Sequence, residues 1–223
     1  MINEYPKTAD TTTETVVGGH RYMRIAVACP PYLGDESPEN FAAVYTEDRL
    51  RPDDILVFSA QAVAIYQGRY YNLANCEPTE NAKRCAKMLT KSEKAVMFAD
   101  LRVMQAAINE IGAARVWLAA GCEEIMKNGI FFGICGADSR YMDTTVCGGY
   151  TLLTLKPDDA VAVAEKIAFA TGCRTVIADV RRAPQITAMT DESLPEGHIA
   201  DILKDAPMRV GSRKVPLCII REK

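Results

Sequence analysis

The chain has 223 residues, of which 48% are apolar and 25% are charged, and its formal net charge is −3 at pH 7. A chain of this length and composition can bury a stabilising core without disulfide bonds or a structural metal ion. Its composition is not that of a disordered protein. Its basic residues are spread along the sequence, so a nucleic-acid partner is not expected. No apolar run approaches the roughly 20 residues of a membrane span, so a membrane partner is not expected either.

The eight cysteines follow neither a disulfide framework nor a zinc-binding spacing. The polar, acidic opening MINEYPKTADTTTE favours a cytoplasmic protein, in which thiols stay reduced and act as small buried hydrophobes. Zinc sites use close cysteine pairs, whereas Cys122, Cys135 and Cys147 are well separated. A nucleophilic Cys135 is an open alternative, although a buried cysteine in a strand is the commoner state and the sequence shows no basic partner for it.

Periodicity and turn residues predict an α/β protein of the mixed α+β kind. Thr79 is a predicted helix cap and Gly172 a predicted helix stop. Residues 61–66 form either a helix or a strand, and residues 115–139 are predicted as two strands joined by a turn near residues 127–129. The other predicted strands are 25–29, 55–58, 150–155, 175–178 and an edge strand at 215–222, and the other predicted helices are 40–50, 79–90, 95–111, 158–170 and 199–206.

The sequence contains no internal repeat and no long Ser/Gly linker that would mark a domain boundary. We therefore predict a polar N-terminal segment at residues 1–21, followed by a single folded unit at residues 22–223.

Two predicted strand exits end in an aspartate. Asp138 ends the glycine-punctuated stretch GICGAD, and Asp179 ends the apolar stretch TVIAD. Carboxylates at strand ends can hold Mg²⁺ or Mn²⁺, hard cations that prefer oxygen ligands and that neutralise phosphate charge. The alternative is that each aspartate only caps the turn or helix that follows it.

Other candidate residues lie beside these aspartates. Arg181 and Arg182 follow Asp179 directly and either grip a carboxylate or phosphate through the guanidinium fork or are simply solvated. The glycines around Asp138, including Gly136, could let backbone amides approach an anion, but they match no phosphate-binding fingerprint and equally suit turns. Neither histidine lies in a motif for acyl chemistry.

Taken in order, several blocks resemble the coenzyme F420-0:γ-glutamyl ligase family. The opening YMRIAVACPPYLGDESPENF is similar to the strand, loop and helix that open the family, and RPDDILVFSAQAVAIYQGR to the strand and helix that follow. FFGICGADSRYM resembles a family loop with an aspartate and a serine, and TGCRTVIADVRRAP a second metal-bearing strand end. The resemblance extends over about residues 22–222 and implies that family's fold, with mixed sheets and flanking helices.

The resemblance implies a ligase that uses a nucleotide, GTP or another, to activate a small phosphorylated or carboxylated acceptor for attack by the amine of glutamate. Such an enzyme would be a cytoplasmic homodimer acting on a small molecule. The implied Mg²⁺ or Mn²⁺ ligands are Asp138 and Asp179, with Arg181 and Arg182 stabilising the transferring phosphoryl group. The implied nucleotide contacts are Gly136, Ser139 and Arg69.

The sequence departs from the family where the nucleotide is bound. Ala60, Gln61 and Ile65 stand where the family carries a Ser-Thr pair and a lysine, and Val180 stands where a threonine follows the second aspartate. An apolar side chain cannot balance phosphate charge, so either Arg69 or another basic residue binds the phosphate instead, or the ligand is a different one. Two hypotheses follow: a metal-dependent amide-forming ligase, and a divergent, non-catalytic small-molecule-binding protein that keeps the fold.

Overall fold

A computed structural model of the protein describes residues 9–181, 184–210 and 213–223, and it confirms the predicted mixed α and β class. None of the helices in these ranges is long and apolar enough to cross a membrane. The helices are α1 (Pro38–Thr46), α2 (Ala60–Tyr66), α3 (Glu80–Leu89), α4 (Leu101–Ile111), α5 (Ala113–Met126), α6 (Ile130–Cys135), α7 (Ala137–Tyr141), α8 (Ala160–Thr171) and α9 (Glu196–Ile202). The strands are β1 (Thr11–Val17), β2 (His20–Ala26), β3 (Ile55–Ser59), β4 (Tyr70–Asn72), β5 (Asp143–Cys147), β6 (Tyr150–Thr154), β7 (Arg174–Asp179), β8 (Gln185–Met189), β9 (Arg209–Val210), β10 (Arg213–Lys214) and β11 (Leu217–Glu222).

These elements form two compact units. The first unit contains the described residues up to Gly68 and those from Pro157 onward, and the second contains Arg69–Lys156. Residues on both sides of the predicted boundary at residue 21 pair in the β1–β2 hairpin of the first unit. The behaviour of residues 22–223 as a single unit stays a prediction.

The first unit is built on a six-stranded sheet with the order β1-β2-β11-β3-β7-β8. β3 and β7 run parallel, and the other neighbours in this sheet are antiparallel. The central strands are apolar on both faces because helices cover both: α1 and α8 contribute to one core, and α9 to the other. The predicted strands at 55–58 and 175–178 correspond to β3 and β7, whereas the strand predicted at 25–29 overlaps only the last two residues of β2.

The predicted edge position of the last strand is wrong. β11 lies between β2 and β3, and Leu217–Ile220 are buried. Four consecutive apolar residues predict burial on both faces, which is a property of a central strand. The order of strands in a sheet depends on distant pairings, which the local sequence of β11 does not contain.

The second unit combines α3 to α7 with a three-stranded antiparallel sheet of order β4-β6-β5. Its core gathers Leu89, Phe98, Phe131 and Leu153. Thr79 caps α3 as predicted, since its hydroxyl accepts a hydrogen bond from the Ala82 amide at 3.3 Å. This unit also contains residues 115–139, for which the predicted and the observed structures differ most.

The two strands predicted at residues 115–139 are helices α5, α6 and α7. The buried residues of α5 recur at helical spacing (Val116, Ala119, Ala120 and Glu123). Large apolar residues also occupy its exposed face, so the sequence lacks the contrast between apolar and polar positions that indicates a helix. Lys127 adopts a left-handed conformation (φ 51°) and closes α5 rather than forming a hairpin turn.

The helix predicted at residues 95–111 is also interrupted. Val96–Ala99 form a short 3₁₀ helix, and α4 begins only after Asp100. The Asp100 carboxylate accepts hydrogen bonds from the amides of Arg102 and Val103, so it caps α4 and separates it from the preceding turn. In contrast, α8 follows the prediction for residues 158–170, with Asp159 as its cap and Gly172 (φ 69°) as its stop.

A buried carboxylate joins the helices of the second unit. Glu123 is 1% exposed and accepts hydrogen bonds from the Ser92 hydroxyl at 2.7 Å and from the amides of Gly129 and Phe131 at 3.2 Å. Burial raises the pKa of Glu123, but these hydrogen bonds outweigh it and hold the pKa below its ordinary value. The charged form of Glu123 therefore stabilises the start of α6.

We expect Glu123→Gln to lower the free energy of unfolding by about 1–3 kcal/mol at neutral pH, because the amide cannot accept all of these hydrogen bonds and leaves donors unsatisfied. A carboxyl whose pKa is lower in the folded state contributes stability above its unfolded pKa and loses it as the pH falls through the folded value. Urea denaturation should therefore show the largest difference from wild type near pH 7 and a shrinking difference below about pH 4. A difference that stays constant with pH would contradict the charged role.

Candidate functional site

Asp179 lies at the carboxyl end of β7, inside the first unit. The parallel register pairs Ser59 of β3 with Ala178 of β7, so Asp179 and the start of α2 lie at the same edge of the sheet. Asp179 is only 2% exposed. Ligands of α/β proteins commonly bind outside the carboxyl ends of parallel strands, and the buried run of β7 delivers a charged group to that position.

The Asp179 carboxylate is paired with the first of the two predicted arginines. Nη2 of Arg181 lies 2.5 Å from Oδ2 of Asp179, and the Arg181 side chain is one-third exposed. A buried carboxylate is costly unless a partner balances its charge, and Arg181 supplies that balance. The planar guanidinium group of arginine also suits contact with a phosphate or a carboxylate. Arg182 lies outside the described residues.

The Asp179 carboxylate is a donor of the kind that a hard divalent cation binds. Carboxylate oxygens are the ligands that Mg²⁺ prefers, and Mg²⁺ usually binds through one or two carboxylates together with water and phosphate oxygens. No cluster of three or more His, Cys, Asp or Glu side chains suited to a metal ion occurs within the described residues. A cation held by Asp179 would therefore take its remaining ligands from a substrate or from water.

Asp138 lies in the second unit, in the first turn of α7, and not at a strand end as predicted. It is exposed. The residue before α7, Gly136, has φ 92° and ψ 179°, a conformation that is essentially restricted to glycine. Gly136 thus permits the sharp break between α6 and α7 that presents Asp138. That Asp138 and Asp179 share one cation stays a prediction.

Ser139 and Gly136 are already joined to each other. Ser139 is buried, and its hydroxyl donates a hydrogen bond to the Gly136 carbonyl at 2.7 Å. The serine side chain therefore stabilises the corner between α6 and α7. Contact of these two residues with a nucleotide stays a prediction.

Arg69 has its charge balanced within the second unit. Its Nη2 lies 3.1 Å from Oε1 of Glu110, and its Nε donates to the Lys156 carbonyl at 3.5 Å. Glu110 also accepts a hydrogen bond from the hydroxyl of Tyr71. The pKa of Tyr71 is raised, mainly by burial and to a smaller extent by the Glu110 carboxylate. A phosphate would have to compete with Glu110 for Arg69.

Lys156 is a candidate that the sequence did not single out. Its Nζ lies 5.7 Å from the ring centroid of Tyr141, and the side chain has no ion-pair partner among the residues the structure describes. Tyr141 is three residues after Asp138 in α7, so the two share a helix face. The sequence signal was a lysine directly after a buried strand, at TLKP, but only the fold shows that β6 ends beside Tyr141.

The apolar residues that depart from the family pattern belong to the interior of the first unit. Ala60 is 2% exposed and forms part of the core beneath α2, and Ile65 is partly buried. These positions contribute packing and no charge.

The cysteine alternative has little support from the geometry. Cys135 is 3% exposed and lies in helix α6, not in a strand. Burial raises its pKa to about 12, against a smaller opposite effect of Arg115, so the thiol is protonated at neutral pH. All eight cysteines are free thiols.

The model of the family described as F420-0:Gamma-glutamyl ligase matches residues 34–177 of the chain. The match covers more than half of the sequence, includes Arg69, Gly136, Asp138 and Ser139, and ends just before Asp179. No curated protein matches the chain.

Proposed function

Because the chain belongs to the F420-0:gamma-glutamyl ligase family, we propose that it is a ligase dependent on a divalent cation and a nucleotide. The family match supports a γ-glutamyl ligase-type function in general. The proposal adds a small phosphorylated or carboxylated acceptor, to which the amine of an amino acid is joined through an amide bond. The observation that carries it is the buried, arginine-paired Asp179 at the carboxyl end of β7.

The proposed reaction has two balanced steps. An acceptor carboxylate oxygen bonds to the terminal phosphorus of the nucleotide while the bond to the nucleoside diphosphate breaks, which gives an acyl phosphate. The amine then bonds to the acyl carbon, and inorganic phosphate leaves as the nitrogen loses a proton. A bound Mg²⁺ or Mn²⁺ supplies neutralisation of phosphate charge.

The residues of the chain have distinct parts in this proposal. Asp179 and Asp138 would hold the cation through carboxylate oxygens. Arg181 would hold phosphate oxygens through its guanidinium group and stabilise their charge during transfer. In the second unit, Lys156 would bind a phosphate oxygen of the nucleotide, because its charge is not balanced by a carboxylate in the described chain.

The second candidate is a non-catalytic protein that binds a small molecule. It is favoured by the engagement of Arg69 with Glu110 and by the apolar Ala60 and Ile65, which remove groups that serve the nucleotide in the family. The two candidates differ in whether a nucleotide binds only with a cation and whether phosphate is released.

A thermal-shift panel of GTP and ATP, each with and without Mg²⁺ or Mn²⁺, tests the proposal. We expect stabilisation by a nucleotide that requires the cation, because a ligand that binds only the folded state raises its stability. Lys156→Met should weaken nucleotide binding by about 1.5–3 kcal/mol, roughly ten- to a hundredfold, through loss of a charged contact.

The matched control is Lys166→Met, which removes an exposed lysine from α8 and should leave nucleotide binding unchanged. Phosphate release that depends on both an acid and an amino acid would distinguish the ligase from the binding protein. If neither cation nor nucleotide stabilises the protein, the ligase proposal fails.

A further inference from the structure

The hydroxyl oxygen of Thr187 in β8 is buried, and it has no hydrogen-bond partner among the residues that the structure describes. We propose that this hydroxyl donates a hydrogen bond to a phosphate oxygen of the nucleotide that binds at Asp179. The inference rests on the proposed function, because it adds a binding residue to the same site.

A buried, unpaired hydroxyl lowers the stability of a folded protein. The group gives up its hydrogen bonds to water without gaining others, so each native example calls for an explanation. Valine shares the β-branched shape that suits a strand, and it carries no polar atom that would need a partner. The formation of β8 therefore does not account for the oxygen of Thr187.

Two other threonines of the same strand pair do have partners for their hydroxyls. The hydroxyl of Thr175 in β7 donates to the Cys173 carbonyl at 3.2 Å. The hydroxyl of Thr190, which directly follows β8, accepts from the Thr175 amide at 2.9 Å. Both contacts lie at the start of β7, whereas Thr187 lies nearer to the end of β7 that carries Asp179.

Thr187 is the extra residue of a β-bulge beside Asp179. β7 and β8 are antiparallel, and Asp179 pairs with Gln185. The register then shifts between Ile177 and Ala178, which leaves Thr187 outside the regular pairing. From the usual spacing between strands and along them, the backbones of Thr187 and Asp179 are roughly 7 Å apart. Bulges are frequent next to active sites, where they redirect a side chain.

This position suits a contact with an anionic oxygen. In the proposed function, phosphate oxygens lie beside the pair of Asp179 and Arg181 at the end of β7. A threonine hydroxyl can turn its proton toward such an oxygen, because the O–H bond rotates freely. Thr187 as a whole is partly exposed, so rotation of its side chain to another staggered position can bring the oxygen to a ligand.

Thr187→Val tests the inference with two independent measurements. Without ligand, the melting temperature should rise by roughly 2–4 °C, because the variant removes an unpaired buried oxygen. In a thermal-shift titration with GTP or ATP and Mg²⁺, the variant should bind nucleotide about ten- to a hundredfold more weakly, because it loses a hydrogen bond to a charged oxygen. A residue that only stabilises the fold would not produce both effects.

Two further variants assign the effect to the hydroxyl. Thr187→Ser keeps the hydroxyl and should bind nucleotide like wild type. The matched control is Thr175→Val, which removes a paired hydroxyl at the other end of the same strand pair. It should lower the melting temperature, because the Cys173 carbonyl loses a donor, and it should leave nucleotide affinity unchanged.

The outcomes separate this inference from the ligase proposal. If wild type shows no cation-dependent response to a nucleotide, the ligase proposal fails and the inference fails with it. If wild type responds, the inference alone is overturned when Thr187→Val binds as tightly as wild type or when its melting temperature without ligand does not rise. A loss of affinity that Thr187→Ser shares would also overturn it, because the hydroxyl would not be its cause.

Discussion

Asp179→Asn should abolish the stabilisation that Mg²⁺ or Mn²⁺ gives the protein in the presence of a nucleotide. The amide of asparagine keeps the shape of the side chain but removes the charge that holds a hard cation. At a ligand concentration about a hundred times the dissociation constant, binding adds about 2.7 kcal/mol to the free energy of unfolding, and the variant should lose that whole increment. Thermal shift with and without cation measures it.

The variant also breaks the pair with Arg181, so its melting temperature without ligand is expected to fall. A matched control is therefore needed. Asp54 is another buried carboxylate, 1% exposed and paired with an arginine, in the same unit. Asp54→Asn should lower the melting temperature in a similar way and yet keep the full response to the cation. Equal responses of Asp179→Asn and wild type would remove Asp179 from the proposed site.

Arg221→Met should be the most destabilising of the substitutions considered, by about 3–5 kcal/mol, because it leaves Asp54 charged and buried without its partner. The pair is bidentate: Nε and Nη2 of Arg221 lie 2.8 and 2.6 Å from the two oxygens of Asp54. Nη2 also donates to the Arg49 carbonyl, and Asp54 accepts from the Arg51 amide. Together these bonds tie β11 to the turn before β3.

Urea denaturation of the single variants and of the double variant Asp54→Asn/Arg221→Met measures the coupling. If the pair stabilises the fold as described, the double variant should lose less than the sum of the two single losses, because no unpaired charge remains buried. Additive losses would show that the two side chains act independently.

The parts of the fold that follow local rules could be predicted from the sequence. β3 and β7 each contain a short apolar run, and α8 lies between an aspartate cap and a glycine stop, so their signals are contained in a few adjacent residues. The α5 to α7 segment failed because Leu118 and Ile125 are apolar on the exposed face, which removes the contrast on which helical periodicity depends.

The candidate site was predictable to a similar extent. Asp179 ends a strand with a clear apolar pattern, and its position at the end of that strand was predicted correctly. Asp138 was placed at a strand exit, but it lies in the first turn of α7, and the starts of α6 and α7 depend on the conformations of Gly129 and Gly136. The proximity of Lys156 to Tyr141 and the pairing of Arg69 with Glu110 join residues far apart in sequence, so no local pattern could indicate them.

The central place of β11 has a consequence for how the protein is made. The second unit is one continuous stretch of chain, whereas the sheet of the first unit needs its final strand between β2 and β3. During synthesis, Arg69–Lys156 can therefore fold while the first unit still lacks its middle strand, and β2 and β3 expose open edges until β11 has been translated. A chain released before β11 is complete would have one finished unit and one that is prone to aggregate.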